Sequence, residues 1–191
     1  MRSATITRKT SETDIEVYVN LEGDGSYEGS TGIRFLDHML SLIAHHSLSK
    51  ISVRASWDLK HHGVEDVAIA LGQAIGKALG ARESIRRFGF AIVPMDEALA
   101  EVSVDLVTRS YSAVQLQLYG KEVEDVKSED IIHFFSSIAS SIPAVIHIHV
   151  RYGLNDHHKV EAATKALAVA LREAWQVDPD RKGSSSSKGL M

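Results

Sequence analysis

The sequence contains no cysteine, which excludes disulfide bonds and metal sites built on thiolate ligands. It also has no apolar run approaching the roughly 18 residues of a membrane-spanning helix, and its first residues lack the apolar segment of a secretion signal. Positive charge is not in excess, because the net charge is -4. This argues against a general binder of nucleic acids or membrane surfaces. We therefore expect a soluble, untargeted protein of the reducing cytoplasm, in which imidazole or carboxylate groups must hold any metal.

What the sequence does contain is a histidine motif that occurs twice. His61-His62-Gly63-Val64-Glu65 returns 96 residues later as His157-His158-Lys159-Val160-Glu161. Behind each copy the apolar residues recur every three or four positions. This pattern predicts two amphipathic helices with the same apolar face.

Two further segments repeat in the same order. A strand-like segment led by Glu12 overlays one led by Glu97 at an offset of 85, and a helical segment carrying His38 overlays one carrying His133 at an offset of 95. The change of offset places an insertion in the second copy, within the charged stretch 120–130. The order of the three repeated segments indicates a duplicated unit.

We therefore predict an α+β fold made of an internally duplicated α/β unit, each half running as strands, helix, strand, helix. The predicted first half covers residues 1–90 and the second half covers residues 91–180. A Ser/Gly-rich tail follows at residues 181–191, and we expect it to contribute to the substrate site. A chain of 191 residues with 44% hydrophobic residues can bury a core for such a unit. Locally, Gly23-Asp24-Gly25 predicts a hairpin turn, and Gly80 predicts the end of the first motif helix.

The spacing within each motif indicates which residues can share a metal ion. Residues i and i+4 lie on one helix face, so His61 and Glu65 can bind one ion, whereas His61 and His62 point about 100° apart. The second copy follows the same rule. Together with the paired histidines of the other repeat, this gives two sites of three imidazoles and one carboxylate. The predicted ligand sets are His38, His62, His157 and Glu161 in one site, and His61, Glu65, His133 and His158 in the other.

Other histidines and acids near these positions have more ordinary interpretations. His147 and His149 fall on the polar phase of a strand, and we expect neither to bind a metal. His46 lies nearer the predicted site, and whether it takes part in that site stays open. Asp37 and Asp66 adjoin predicted ligands, and we expect them to support those ligands or to lie at the surface.

Seven motifs in order resemble those of the imidazoleglycerol-phosphate dehydratase family. The resemblance extends from about Thr5 to Gly189. The motifs are Leu36-Asp37-His38-Met39-Leu40, His61-His62-Gly63-Val64-Glu65-Asp66, Arg87-Phe88-Gly89, Met95-Asp96-Glu97-Ala98-Leu99, His133-Phe134-Phe135, His157-His158-Lys159-Val160-Glu161-Ala162 and Ser186-Ser187-Lys188-Gly189.

The resemblance implies a fold, a reaction and an assembly. The fold is like domain 2 of ribosomal protein S5, duplicated, with helices packed between two four-stranded mixed sheets. The reaction is dehydration of D-erythro-imidazoleglycerol phosphate to imidazole acetol phosphate, with two Mn²⁺ per active site and no organic cofactor. The assembly is a homo-oligomer of 24 subunits with active sites between subunits. We expect a small phosphate ester as the partner and neither nucleic acid nor membrane.

The resemblance also implies roles for individual residues. Glu12 and Glu97, paired by the duplication and outside the ligand sets, are candidates for proton transfer, and the resemblance favours Glu12. Glu65 and Glu161 count as catalytic through the metals they would bind. Cations and hydroxyls for the phosphate are Arg87, Arg109, Lys188, Ser186 and Ser187. The full set of implied substrate contacts is Glu12, His38, His46, His61, Glu65, Arg87, Glu97, Arg109, His157, Glu161, Ser186, Ser187 and Lys188.

Two other functions stay open on the sequence. A metal-storing oligomer would use the same ligands, but it leaves the cationic residues Arg87, Arg109 and Lys188 without a role. A dinuclear metallohydrolase is the second alternative, and the scarcity of carboxylates able to bridge two ions argues against it.

Overall fold

The computed structural model describes residues 2–186 and shows two sheets with helices between them. In the first half the elements are β1 (Ser3–Lys9), β2 (Thr13–Asn20), β3 (Tyr27–Ser30), α1 (Arg34–Ser47), β4 (Lys50–Trp57) and α2 (Lys60–Leu79). In the second half they are β5 (Phe88–Met95), β6 (Ala98–Asp105), β7 (Tyr111–Gln115), β8 (Glu122–Val123), β9 (Val126–Lys127), α3 (Ser128–Ser141), β10 (Val145–Tyr152) and α4 (Asp156–Trp175). Within the described residues, none of these helices is both long and apolar enough to cross a membrane.

The two large sheets have the same topology. Their strand orders are β1-β2-β4-β3 and β5-β6-β10-β7, and in each the last pair is parallel while the others are antiparallel. The predicted fold class, an internally repeated α+β unit with two four-stranded mixed sheets, is confirmed. The hairpin predicted at Gly23-Asp24-Gly25 is wrong, because β4 occupies the edge of β2 that a hairpin with β3 would need.

The helices cross between the halves. The long helix α2 packs on β1 and β2, and α4 packs on β5 and β6; the short helix α1 lies against α4, while α3 lies against α2. Their shared core includes Leu71, Phe134 and Leu167, which have no exposed surface. Burying a side chain of this size contributes about 1.5–3 kcal/mol. Each short helix is therefore held by the long helix of the other half.

The insertion in the second half is a small hairpin. Residues 31–33 connect β3 to α1, whereas residues 116–127 connect β7 to α3 and contain β8 and β9. This confirms an insertion before the second histidine helix. The second sheet begins at Phe88, so the half boundary predicted after residue 90 falls inside β5. Gly80 ends α2 with a φ of 57°, as predicted.

The outer faces of the two sheets differ in polarity. On β5, Phe88, Phe90 and Ile92 are 58%, 70% and 60% exposed. Ser3 and Thr5 occupy the positions of β1 that match Phe88 and Phe90, as the pairing of β1 with β2 and of β5 with β6 shows. The outer face of the second sheet therefore exposes an apolar patch that the first sheet lacks.

Candidate metal and substrate site

The first ligand cluster joins α1 to α4. Glu161 Oε1 lies 2.7 Å from His38 Nε2 and 3.1 Å from His157 Nε2. The ring of Phe35 covers both imidazoles, with centroids 6.0 Å from His38 and 5.1 Å from His157. A cavity of about 490 Å³ opens onto this cluster, and Arg34 and Glu124 also line it. The cluster is thus open to a ligand on one side.

Glu161 is ionised and firmly held. Burial alone would raise its pKa, but hydrogen bonds from Lys165, His38 and His157 outweigh burial and lower the pKa to about 2. Lys165 Nζ donates to Glu161 Oε2 over 2.6 Å and contacts Met95 Sδ at 3.2 Å. Because Lys165 occupies Oε2, the other carboxylate oxygen is the one that faces the histidines.

The second cluster joins α2 to α3 and is looser. Glu65 lies 3.9 Å from His61 Nε2 through Oε2 and 3.7 Å from His133 Nε2 through Oε1. The two imidazoles stack with centroids 5.1 Å apart. Asp130, which is buried, accepts a hydrogen bond from His61 Nδ1 over 2.5 Å.

Both clusters fit a divalent cation. In each, two imidazole nitrogens and a carboxylate oxygen lie within 4.8 Å of one another. Metal bonds of about 2.1 Å at right angles separate neighbouring ligand atoms by roughly 3 Å, close to the spacing in the first cluster. Nitrogen and oxygen donors without thiolate are compatible with several divalent first-row metals.

The second histidine of each motif points away from its own chain's clusters. His62 Nδ1 donates to Asp58 Oδ1 over 2.7 Å, which raises the pKa of His62. His158 Nδ1 donates to Glu97 Oε2 over 2.7 Å, which raises the pKa of His158. Within residues 2–186 of one chain, three of the four predicted ligands of each site therefore lie together. The ligands outside the two clusters are His62 and His158.

The two candidate acid–base glutamates have different surroundings. Glu97 accepts backbone hydrogen bonds from Leu154 at 3.1 Å and Asn155 at 2.7 Å, and these bonds, with that from His158, lower its pKa to about 2. Glu12 is exposed, and its carboxylate lies 3.8 Å from His62 Nδ1. Glu97 supports the turn before α4, whereas Glu12 is available to a ligand.

The residues predicted to bind the substrate phosphate belong to segments of the chain outside the two clusters. Arg87 pairs with both oxygens of Asp105 at 2.7 and 3.1 Å, and Nη1 donates to the carbonyl of Ser185 over 3.3 Å. Ser186 follows in the same bend, and Arg109 is exposed in the loop before β7. Ser187 and Lys188 lie outside the described residues.

Other predicted residues are placed as follows. His46 is half-buried, and burial lowers its pKa, with the charges of His45 and Lys165 also lowering it and that of Glu161 opposing. Asp37 accepts from Tyr27 and Ser30 hydroxyls, and it supports the turn before α1. Asp66 is buried against Thr13 and Arg8. His147 and His149 line a groove on the outer face of the second sheet, away from both clusters.

Lys165, Glu124 and Asp130 are among the residues that contact predicted ligands and were not predicted from the sequence. Lys165 was detectable, because it lies four residues beyond Glu161 on the same helix face. Glu124, which lies 3.0 Å from His157 Nδ1, and Asp130 were not, because their contacts depend on the inserted hairpin and on packing between halves.

The repeated clusters, together with comparisons with known proteins, decide the family. Residues 31–171 match the family model described as imidazoleglycerol-phosphate dehydratase. The chain belongs to the imidazoleglycerol-phosphate dehydratase family. A relative from Chloroherpeton thalassium is 47% identical over 100% of this chain and 98% of its own, and one from Methanosarcina mazei is 45% identical over 100% of both.

Solved structures of family members have the same fold. The dehydratase of Staphylococcus aureus superposes with a TM-score of 0.82 at 30% identity, over 90% of this chain and 97% of its own. That of Pyrococcus furiosus, solved in complex with (S)-C348, gives 0.81 at 37% identity over 97% and 100%. The chain is therefore a hydro-lyase, an enzyme that removes water from its substrate.

Proposed function

We propose that the protein dehydrates D-erythro-imidazoleglycerol phosphate to imidazole acetol phosphate in histidine biosynthesis, in the cytoplasm and with two Mn²⁺ per site. The observation that carries this proposal is the pair of His/Glu clusters, one on each long helix, in a dehydratase of this family. Ions bound there would supply Lewis acidity, favouring the imidazolate form of the substrate ring, whose electron density helps expel the adjacent hydroxyl.

The chain's own residues orient the ligands and move the proton. The C–H proton lost in the reaction sits on a carbinol carbon of low acidity, so a positioned base is needed. Glu12 serves as that group, because its carboxylate is exposed and free of the backbone hydrogen bonds that hold Glu97. Once the ring has expelled the hydroxyl, the electron pair of that C–H bond forms the carbon–carbon double bond of the enol, Glu12 takes the proton, and the enol tautomerises to the ketone.

The residues that would bind the phosphate of the substrate and those that would bind its imidazole ring are far apart within one chain. The backbone N–H of Arg87 donates to the carbonyl of Ala174, whereas Glu161 lies near the other end of α4. At about 1.5 Å per residue, the two points are about 20 Å apart along the helix, too far for one small molecule. This separation supports an active site made by more than one subunit.

The apolar patch on the second sheet supports the same conclusion. Phe88, Phe90 and Ile92 would be covered in an oligomer, as large exposed apolar patches usually are. His62 and His158, which face away from their own chain's clusters, would complete the four-ligand sets of neighbouring subunits. The proposed assembly is the 24-subunit homo-oligomer expected for the family.

The direct test is turnover of imidazoleglycerol phosphate by metal-free protein with and without added Mn²⁺. We expect keto product only with the metal, and about two ions bound per chain. Binding of both ions without any turnover would overturn the proposal and favour metal storage.

A further inference from the structure

We propose that Glu124 and Asp130 are positioning residues that fix the rings of His157 and His61 for metal binding. The inference rests on the proposed metal centres. Glu124 Oε1 lies 3.0 Å from His157 Nδ1, and Asp130 Oδ1 lies 2.5 Å from His61 Nδ1. Each carboxylate thus contacts the first histidine of one repeated motif.

The contacts determine which ring nitrogen faces the cluster. A carboxylate accepts the Nδ1 hydrogen, so Nε2 is the nitrogen whose lone pair a cation would use. In both clusters Nε2 faces the glutamate one turn further on, at 3.1 Å for His157 and Glu161 and 3.9 Å for His61 and Glu65. A carboxylate behind a ligating imidazole also increases its basicity.

The two centres obtain this carboxylate in different ways. In the duplicated register Asp130 corresponds to Phe35, whose ring packs against His157 at a tilt of 44° and offers no hydrogen-bond acceptor of the carboxylate kind. Glu124 comes instead from the inserted hairpin, which has no counterpart in the first half. The insertion therefore supplies the group that the duplication does not provide at this centre.

Glu124 occupies a backbone conformation that favours glycine. It has a φ of 53° in the two-residue turn between β8 and β9, where glycine or asparagine would fit without strain. Backbone strain at this non-glycine residue supports a role for its side chain, which contacts His157. The next residue, Asp125, accepts from the backbone N–H groups of Arg34 and Phe35 at 3.1 and 3.0 Å, which fixes the turn against the start of α1.

The test compares Mn²⁺ titrations, followed by electron paramagnetic resonance, of the full-length enzyme and its variants. We expect Glu124→Gly to weaken one of the two sites about 10- to 100-fold and leave the other unchanged. Glu124→Gln, which keeps an acceptor oxygen, should recover part of the loss. Asp130→Asn should weaken the other site. Glu129→Gln is the matched control, because Glu129 contacts Lys127 and neither histidine.

A second measurement separates positioning from a structural role. Because glycine relieves the turn, Glu124→Gly should raise the melting temperature of the metal-free protein while it weakens metal binding. Wild-type affinity at both sites in Glu124→Gly would overturn the inference. Failure of the wild-type enzyme to bind Mn²⁺ would instead overturn the proposed function.

Discussion

His38 and Glu161 are 123 residues apart in the sequence, and their Nε2 and Oε1 atoms lie 2.7 Å apart in the structure. One residue comes from each half of the chain. The contact depends on α1 packing against α4, and the second cluster depends equally on α3 packing against α2. Any change that separates the halves should therefore disrupt both His/Glu clusters together.

The first prediction concerns acid–base chemistry at Glu12. Glu12→Gln should bind Mn²⁺ normally but lower kcat about 10²- to 10⁴-fold, because the amide keeps the shape and cannot transfer the proton. Glu16→Gln is the control, since Glu16 pairs with Arg54 on the outer face of the sheet. Near-normal kcat in Glu12→Gln would refute the assignment and favour Glu97.

The second prediction concerns the acid stability of the metal-free protein. The folded pKa of Glu161 is lowered from 4.5 to about 2, so its stabilising effect is complete above pH 4.5 and lost as the pH falls through about 2. That shift corresponds to about 3 kcal/mol at neutral pH. Denaturant unfolding between pH 6 and pH 2 should show a shallower loss of stability in Glu161→Gln. Parallel curves for the two proteins would contradict this.

The third prediction concerns phosphate binding by Arg87. Arg87→Ala should raise KM about 10- to 100-fold with metal content unchanged, because it removes a charged hydrogen-bond donor. Arg86→Ala, which loses only an exposed pair with Glu173, should leave KM near the wild-type value. Since Asp105 loses its partner in Arg87→Ala, melting temperatures should be recorded as well. An unchanged KM would remove Arg87 from the substrate site.

The fourth prediction links the metals to the assembly. Chelation of both ions should reduce the particle size as well as the activity, because the fourth ligand of each site would come from another subunit. Light scattering before and after chelation, and again after Mn²⁺ is restored, measures this. A particle of constant size after complete metal removal would show that the interfaces do not need the ions.

The sequence predicted those parts of the fold and site that depend on periodicity or repetition. The spacing of His61 and Glu65 indicated one helix face, and the repeats indicated two equivalent clusters. The strand order could not be predicted, because β4, which begins 25 residues after Gly25, pairs with the edge of β2 that the apparent hairpin at Gly23-Asp24-Gly25 would need. The contact of Glu124 with His157 was equally hidden, because nothing local relates a hairpin turn to a later helix.

The crossing of helices between halves has a consequence for the origin of the chain. A half of this sequence, taken alone, contains the histidine of one cluster and the His/Glu pair of the other, but no complete cluster. Two copies of an ancestral half around a twofold axis would have formed two identical clusters. In the single polypeptide the two copies need not be identical, and Lys165 neighbours Glu161 while Ile69 occupies the matching position beside Glu65.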